Sequence, residues 1–229
     1  MRKVIFADTE KIDFVTGLEK VEIAVDPDGN EGNVVIDLAN GLSKRKGTDH
    51  YFVPATSVQT AEENTSVYFE LELYPFFAAA AEIITDEKGV LRFRRAVTGE
   101  IDHGLVAADL FVFTSLLGDQ PERFRVSSSD SRYSPRHIVI LAEFGKGKLA
   151  HLEYTFGHSK ELIELEWSGK GKIVEFSSGE TVPVEPKQYT ALPLSFTVDS
   201  VIARAKQLDE ALLDKLNQFR KLVKGGLEG

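Results

Sequence analysis

Between residues 124 and 184 the sequence repeats one pattern. Phe124–Ser127, His137–Phe144, Leu149–Phe156, Glu161–Trp167, Lys172–Phe176 and Thr181–Val184 are short runs rich in β-branched and aromatic residues. Short links containing Gly or Ser separate them. Such links suit antiparallel hairpins. A succession of this kind predicts one large antiparallel or mixed sheet, and it limits the rest of the chain to elements that can cover or flank that sheet.

The remaining segments read as follows. Val4–Ala7, Val21–Val25, Val34–Leu38 and Tyr51–Val53 are short strands, and Asp26-Pro27-Asp28-Gly29-Asn30 carries turn chemistry. Val67–Tyr74 alternates apolar and polar residues and predicts a half-buried strand. Pro75 then opens an alanine-rich, almost wholly apolar helix through Ile84. Val90–Val97 is a further strand, and Ile101–Leu117 a second helix closed by Gly118. A stripe from Val198 through Ala205, Leu212, Leu216, Phe219 and Val223 predicts one long terminal helix, capped at its start by Thr197. The fold class expected is α+β: a large, open, mixed but mostly antiparallel sheet with helices on one face, plus a reduced Rossmann-like N-terminal part. Domain boundaries follow at 1–65 and 66–229.

At 229 residues the chain does not comfortably hold two full domains of about 100–150 residues each. It has no cysteine, so disulfides, thiolate zinc sites and cysteine nucleophiles are excluded. The net charge of −9 argues against nucleic acid, and Lys44-Arg45-Lys46 reads as a solvated loop. Neither a signal peptide nor a membrane span is expected, and a cytoplasmic setting is.

Three patterns carry a resemblance. Gly99-Glu100-Ile101-Asp102-His103-Gly104 runs on through Val106 and Asp109 to Leu116-Leu117-Gly118-Asp119-Gln120-Pro121. Tyr74–Arg95 pairs a helix with Lys88-Gly89-Val90-Leu91, and Ile138–Phe144, Gly145–Gly147 and Leu149–Tyr154 set two strands around a glycine turn. Over roughly residues 66–224 this resembles the second domain of the Gfo/Idh/MocA oxidoreductases, the glucose–fructose oxidoreductase and inositol dehydrogenase group.

The resemblance implies a nicotinamide cofactor in an N-terminal Rossmann domain. It also implies a lysine in a Glu-Lys-Pro motif and a histidine on the second-domain helix, which serve the reacting hydroxyl. A base must take the hydroxyl proton as hydride leaves, and a cation must steady the oxyanion. This chain departs at each point. Asp8-Thr9-Glu10 follows the first strand and no glycine appears before Gly17, whereas a pyrophosphate needs Gly-x-Gly-x-x-Gly there. Gly29 and Gly32 lie in a turn before a strand and do not restore it. Phe52-Val53-Pro54 places Val53 where the lysine belongs, and Val106 stands where the histidine belongs.

Asp102, Val106 and Asp109, at i, i+4 and i+7, share one helical face on this reading. His103 is turned off that face. Asp102 and Asp109 are the sole catalytic candidates, and their bland alternative is a helix-start carboxylate plus a polar face residue. No cofactor-binding residue and no metal site is expected. His151 and Glu153 share a strand face but lack a third ligand. Ser127-Ser128-Ser129-Asp130-Ser131 reads as a polar loop. Phe144, Tyr154, Phe156 and Trp167 read as core or subunit interface ahead of a sugar-stacking face.

The functional expectation is a shortened, non-catalytic oxidoreductase-like protein, a pseudoenzyme. It would self-associate through the sheet face, bind a small polyol or sugar, or pair with a full-length relative. The alternative is an NAD- or NADP-dependent sugar or polyol oxidoreductase with a rearranged or shared cofactor site.

Overall fold

The computed structural model describes residues 51–225 except 62, 85–87, 119, 130–131, 133, 180–181, 186–187 and 191–193. Of the strands before residue 51, and of those within 182–190, the backbone path alone is described. In chain order the first elements are β1 (Lys3–Ala7), β2 (Ile12–Asp13), β3 (Val21–Ile23), β4 (Val34–Leu38), β5 (His50–Pro54) and β6 (Thr65–Tyr68). Then come α1 (Glu70–Leu73), α2 (Pro75–Ile83), β7 (Gly89–Val97) and α3 (His103–Leu117). Next are β8 (Arg123–Ser128), β9 (Arg136–Phe144), β10 (Lys148–Phe156), β11 (Leu162–Gly169) and β12 (Lys172–Ser177). The chain continues with β13 (Val182–Glu185), β14 (Gln188–Thr190), β15 (Phe196–Thr197), α4 (Val198–Arg204), β16 (Lys206–Gln207) and α5 (Glu210–Gly225).

By its contacts the chain divides into two units, Met1–Pro75 with Leu194–Gln218, and Phe76–Pro193 with Phe219–Gly229. The first unit is built on a six-stranded sheet of order β16-β6-β5-β4-β1-β3. The pairs β1–β3, β1–β4, β4–β5 and β5–β6 are all parallel, and β16 is antiparallel to β6. Strand order reverses around β1, the hallmark of a doubly wound sheet. The link from β5 to β6 carries no helix among its described residues. β6 belongs to this sheet because it hydrogen-bonds β5 over Thr65–Tyr68, so contacts divide the chain at Pro75 and not at residue 65.

The expected strand Val67–Tyr74 stops early. Its alternation would leave Tyr68 and Tyr74 wet, yet both are buried, and Phe69, Leu71 and Leu73 are buried with them. A segment with apolar groups on all sides does better as a compact turn than as a half-exposed strand. Accordingly, α1 follows β6 directly, and Lys206 Nζ takes the Glu72 carboxylate at 3.0 Å while Arg204 donates to the Glu72 carbonyl at 2.8 Å. Tyr68 and Tyr74 pack against Phe196.

The terminal helix is also two helices. Thr197 Oγ1 accepts from the Ser200 amide and starts α4. Ala205 turns extended at φ −61°, ψ 141°, and β16 joins the sheet edge beside β6. Asp209 Oδ1 then accepts from the Leu212 amide at 2.7 Å and caps a new start. The apolar stripe had a gap here between Ala205 and Leu212.

The second unit holds a six-stranded sheet of order β12-β11-β7-β10-β9-β8. All neighbours are antiparallel except β7 and β10, which run parallel over Gly89–Val97 and Lys148–Phe156. The sheet is therefore mixed and mostly antiparallel. The run expected at Thr181–Val184 leaves it: β13 pairs with β14 as a separate ribbon. β7, from before α3, takes the central place between β10 and β11.

One face of this sheet is covered. Leu91, Phe93, Ile138, Ile140, Leu152, Tyr154, Phe156, Leu165 and Trp167 are buried there. Phe113 of α3 meets Phe93 edge-on at 4.9 Å and Phe77 of α2 at 6.2 Å. Phe144, Tyr154, Phe156 and Trp167 are thus core residues. Trp167 is held by close backbone approach, because a Cβ on Gly89 would lie 2.5 Å from its ring. Among the described residues no helix is long and apolar enough to cross a membrane.

Candidate functional site

The helix that carries the candidate residues is α3. Asp102 is its N-cap, with non-helical φ −110° and ψ 99°. Its Oδ1 accepts from the amides of Gly104 at 2.7 Å and Leu105 at 3.2 Å. These bonds satisfy two orphan donors of the first turn. Since Asp102 lies outside the helix, the helical-wheel face joining it to Val106 and Asp109 does not exist. At the other end Gly118 adopts φ 89°, and the buried Lys148 ammonium donates to the Leu117 carbonyl at 2.9 Å. A cation on the last carbonyls suits the helix dipole.

Asp109 is buried and ion-paired. Arg95 Nη1 donates to its Oδ1 at 3.1 Å and its Oδ2 at 3.2 Å. The same guanidinium donates to Glu161 Oε1 from Nη2 at 2.7 Å and from Nε at 3.2 Å. Arg95 and Asp109 side chains are 1% and 3% exposed, so this pair is sealed inside the unit, while Glu161 at 17% reaches its rim. Such a group cannot lose one partner cheaply, because the remaining charges stay buried. The phenol of Tyr154 is fully buried nearby. Burial and the Asp109 carboxylate hold it well above the ordinary tyrosine value, against a smaller opposing effect of Arg95.

Val106 is wholly buried, the fate of a core residue. His103 opens α3. Partial burial and the positive charge of Lys224 push its imidazole below the usual histidine value; Asp102 acts the other way and Arg136 adds to the lowering. A neutral imidazole is thereby favoured beside the cap. Val53, which stands where a lysine was sought, sits half-buried near the end of β5.

His151 Nε2 lies 3.3 Å from Glu153 Oε1 on β10, on the face turned away from α3. Among the described residues no cluster of three His, Asp or Glu side chains is arranged to hold a metal. Asp8-Thr9-Glu10, Gly17, Gly29, Gly32, Asp26–Asn30, Lys44–Lys46 and the Asp130–Ser131 end of the serine run lie outside the described residues.

Sequence reasoning missed Arg95, Glu161 and Lys148. A signal existed for the first: Arg95 has the same strand parity as Leu91 and Phe93, hence the core side of β7.

One unit is built on a mostly parallel sheet whose strand order reverses at β1, and the other on a mixed sheet with one helix-covered face. Several solved structures share this fold at low sequence identity. UDP-N-acetylglucosamine 3-dehydrogenase GnnA from Acidithiobacillus ferrooxidans matches 100% of this chain and 98% of its own, at 10% identity and TM-score 0.60. Myo-inositol 2-dehydrogenase from Lactobacillus plantarum matches 99% of this chain and 90% of its own, at 11% identity and TM-score 0.52. GenD2 from gentamicin A biosynthesis, solved in complex with NAD, matches 100% and 87%, at 12% identity and TM-score 0.52. No protein-family model matches the chain, and no curated protein matches it. The fold is that of the Gfo/Idh/MocA-type oxidoreductases, as the helix ending and the glycine turn implied.

Proposed function

We propose that this chain is an oxidoreductase-fold protein without nicotinamide chemistry of its own, working in the cytoplasm as a self-associating, ligand- or partner-binding module. One observation carries the reading. The α3 positions that would do chemistry are committed elsewhere: Asp102 caps the helix, Val106 is core, and Asp109 is locked to Arg95. Neither aspartate can take up or hand over a proton without loosening a cap or a buried ion pair, and Val106 has no proton to transfer. The self-associating surface is the uncovered face of the second-unit sheet, where Leu141, Leu149 and Ile173 are 50%, 45% and 71% exposed.

The test is turnover. Purified protein with NAD or NADP and myo-inositol, or with a nucleotide-linked amino sugar, produces no reduced cofactor at 340 nm above a no-enzyme control. Sustained reduction that Asp109→Asn abolishes overturns the reading.

A second reading keeps catalysis, with NAD or NADP bound at a rearranged site or at one shared with another chain. The sugar and polyol chemistry in the names of the matched structures supports it. If it holds, activity depends on protein concentration and appears with a full-length relative supplying the cofactor half.

A further inference from the structure

The second-unit sheet ends on one side at β8, and this edge stands apart by its charge. β8 pairs with β9 along one side, and among the described residues no strand pairs with the other. The Ser129 amide donates to the His137 carbonyl at 3.0 Å, continuing the β8–β9 register. Residues of the same parity, Arg123, Arg125 and Ser127, therefore turn their amides and carbonyls to β9. Phe124, Val126 and Ser128 turn theirs outward, as an unpaired row. On the open face the edge is basic. Arg123 and Arg125 are both exposed; Arg123 lies 3.6 Å from Glu143 of β9, and among the described residues Arg125 pairs with no carboxylate. On the other face Val126 is buried and Phe124 half-buried. In a chain of net charge −9 such an edge is an exception.

We propose that the outer edge of β8 takes an extended acidic segment of another protein as a seventh strand. This rests on the partner-binding reading above and supplies that partner's chemistry. Strand addition to an open edge draws affinity from main-chain hydrogen bonds and specificity from alternate side chains. Phe124, Val126 and Ser128 offer the main-chain groups. In an antiparallel addition Arg123 and Arg125 fall at the non-hydrogen-bonded sites, where facing residues come closest, with Cα atoms about 4.5 Å apart. Carboxylates two residues apart on the added strand then meet both guanidiniums, and opposite charges directly across a ladder stabilise it. The residue between those carboxylates turns to the side of Phe124 and Val126, where an apolar group fits. The segment selected is thus acidic, apolar, acidic. The same charges disfavour a second copy as occupant: β8 laid along β8 brings the two arginine pairs together, and like charges facing each other oppose closure. The edge at β12, with Lys172 and Glu175, carries no single sign, so β8 is the edge that charge selects.

The experiment is fluorescence anisotropy with the full chain and a labelled octapeptide of alternating glutamate and valine. The peptide binds saturably, and its lysine–valine counterpart binds at least about tenfold more weakly. Arg125→Glu weakens the glutamate peptide by a similar factor, and Arg123→Glu/Arg125→Glu reverses the preference toward the lysine peptide. Both arginines are exposed, so folding, followed by circular dichroism, is unchanged in these variants. A glutamate–valine peptide N-methylated at alternate residues keeps the charge, loses the main-chain donors and no longer binds. The proposal is overturned if the glutamate peptide shows no saturable binding at millimolar protein, or if Arg125→Glu leaves its affinity unchanged. Equal binding of the N-methylated peptide also overturns it, because plain charge attraction would then suffice. Each of these results strikes the β8 site alone, since cofactor reduction, which tests the wider reading, is measured separately.

Discussion

Arg94 and Arg95 are adjacent in β7, yet they occupy opposite faces of the sheet. Arg94, 64% exposed, lies on the open face 3.0 Å from Glu153 and 3.5 Å from Glu164. Arg95, 1% exposed, spans Asp109 of α3 and Glu161 under the helix layer. One residue step reverses the side, since strand side chains alternate. The difference teaches where each face spends its charge. On the covered side charge is fixed and structural; on the open side it forms a lattice that water screens and a partner can rearrange.

The largest expected effect tests the covered side. Arg95→Ala leaves Asp109 buried without its cation and removes the partner of the half-buried Glu161, lowering unfolding free energy by about 3–5 kcal/mol in a urea titration. Arg94→Ala changes it by at most about 1 kcal/mol. Equal losses would erase the contrast between the faces. Next comes Gly89→Ala, whose new methyl group meets the Trp167 ring and the Ser168 carbonyl oxygen at under 3 Å. Overpacking of this kind costs about 1–3 kcal/mol, and the emission of the single tryptophan reports the displacement directly. Asp102→Ala removes the α3 cap at a cost of about 0.5–2 kcal/mol, and Asp102→Asn retains most of it. A catalytic Asp102 would instead show its loss in turnover, with the asparagine variant as inactive as the alanine.

The smallest effect is a pH dependence. The folded His103 imidazole titrates below its unfolded value of about 6.5. Between the two values the unfolded chain binds more protons, so stability rises with pH there. It is full above about 6.5 and falls as pH drops through that window. His103→Gln flattens this part of the stability profile, and an unchanged slope would remove His103 as its source.

Much of this architecture was legible in the sequence. Gly118 marked the end of α3 because cap chemistry is local, whereas Asp102 was read inside the helix and is instead its N-cap. The hairpins from β8 to β12 were visible for the same reason. Strand partners were not: nothing near Gly89–Val97 says that β7 enters between β10 and β11, because that pairing is set by distant residues. The break between α4 and α5 was hidden behind a periodicity that counts apolar residues and overlooks the Asp209 cap. For the site, Val106 could be read as non-catalytic at once. The commitment of Asp109 could not, since its partner Arg95 reaches it through space from another element.

The central claim is that this fold is kept without its cofactor chemistry. Calorimetric titration of the full chain with NADH and NADPH tests it most directly. The account predicts no saturable heat and no rise in melting temperature at millimolar cofactor. Saturable binding of either nucleotide in the micromolar range would contradict it.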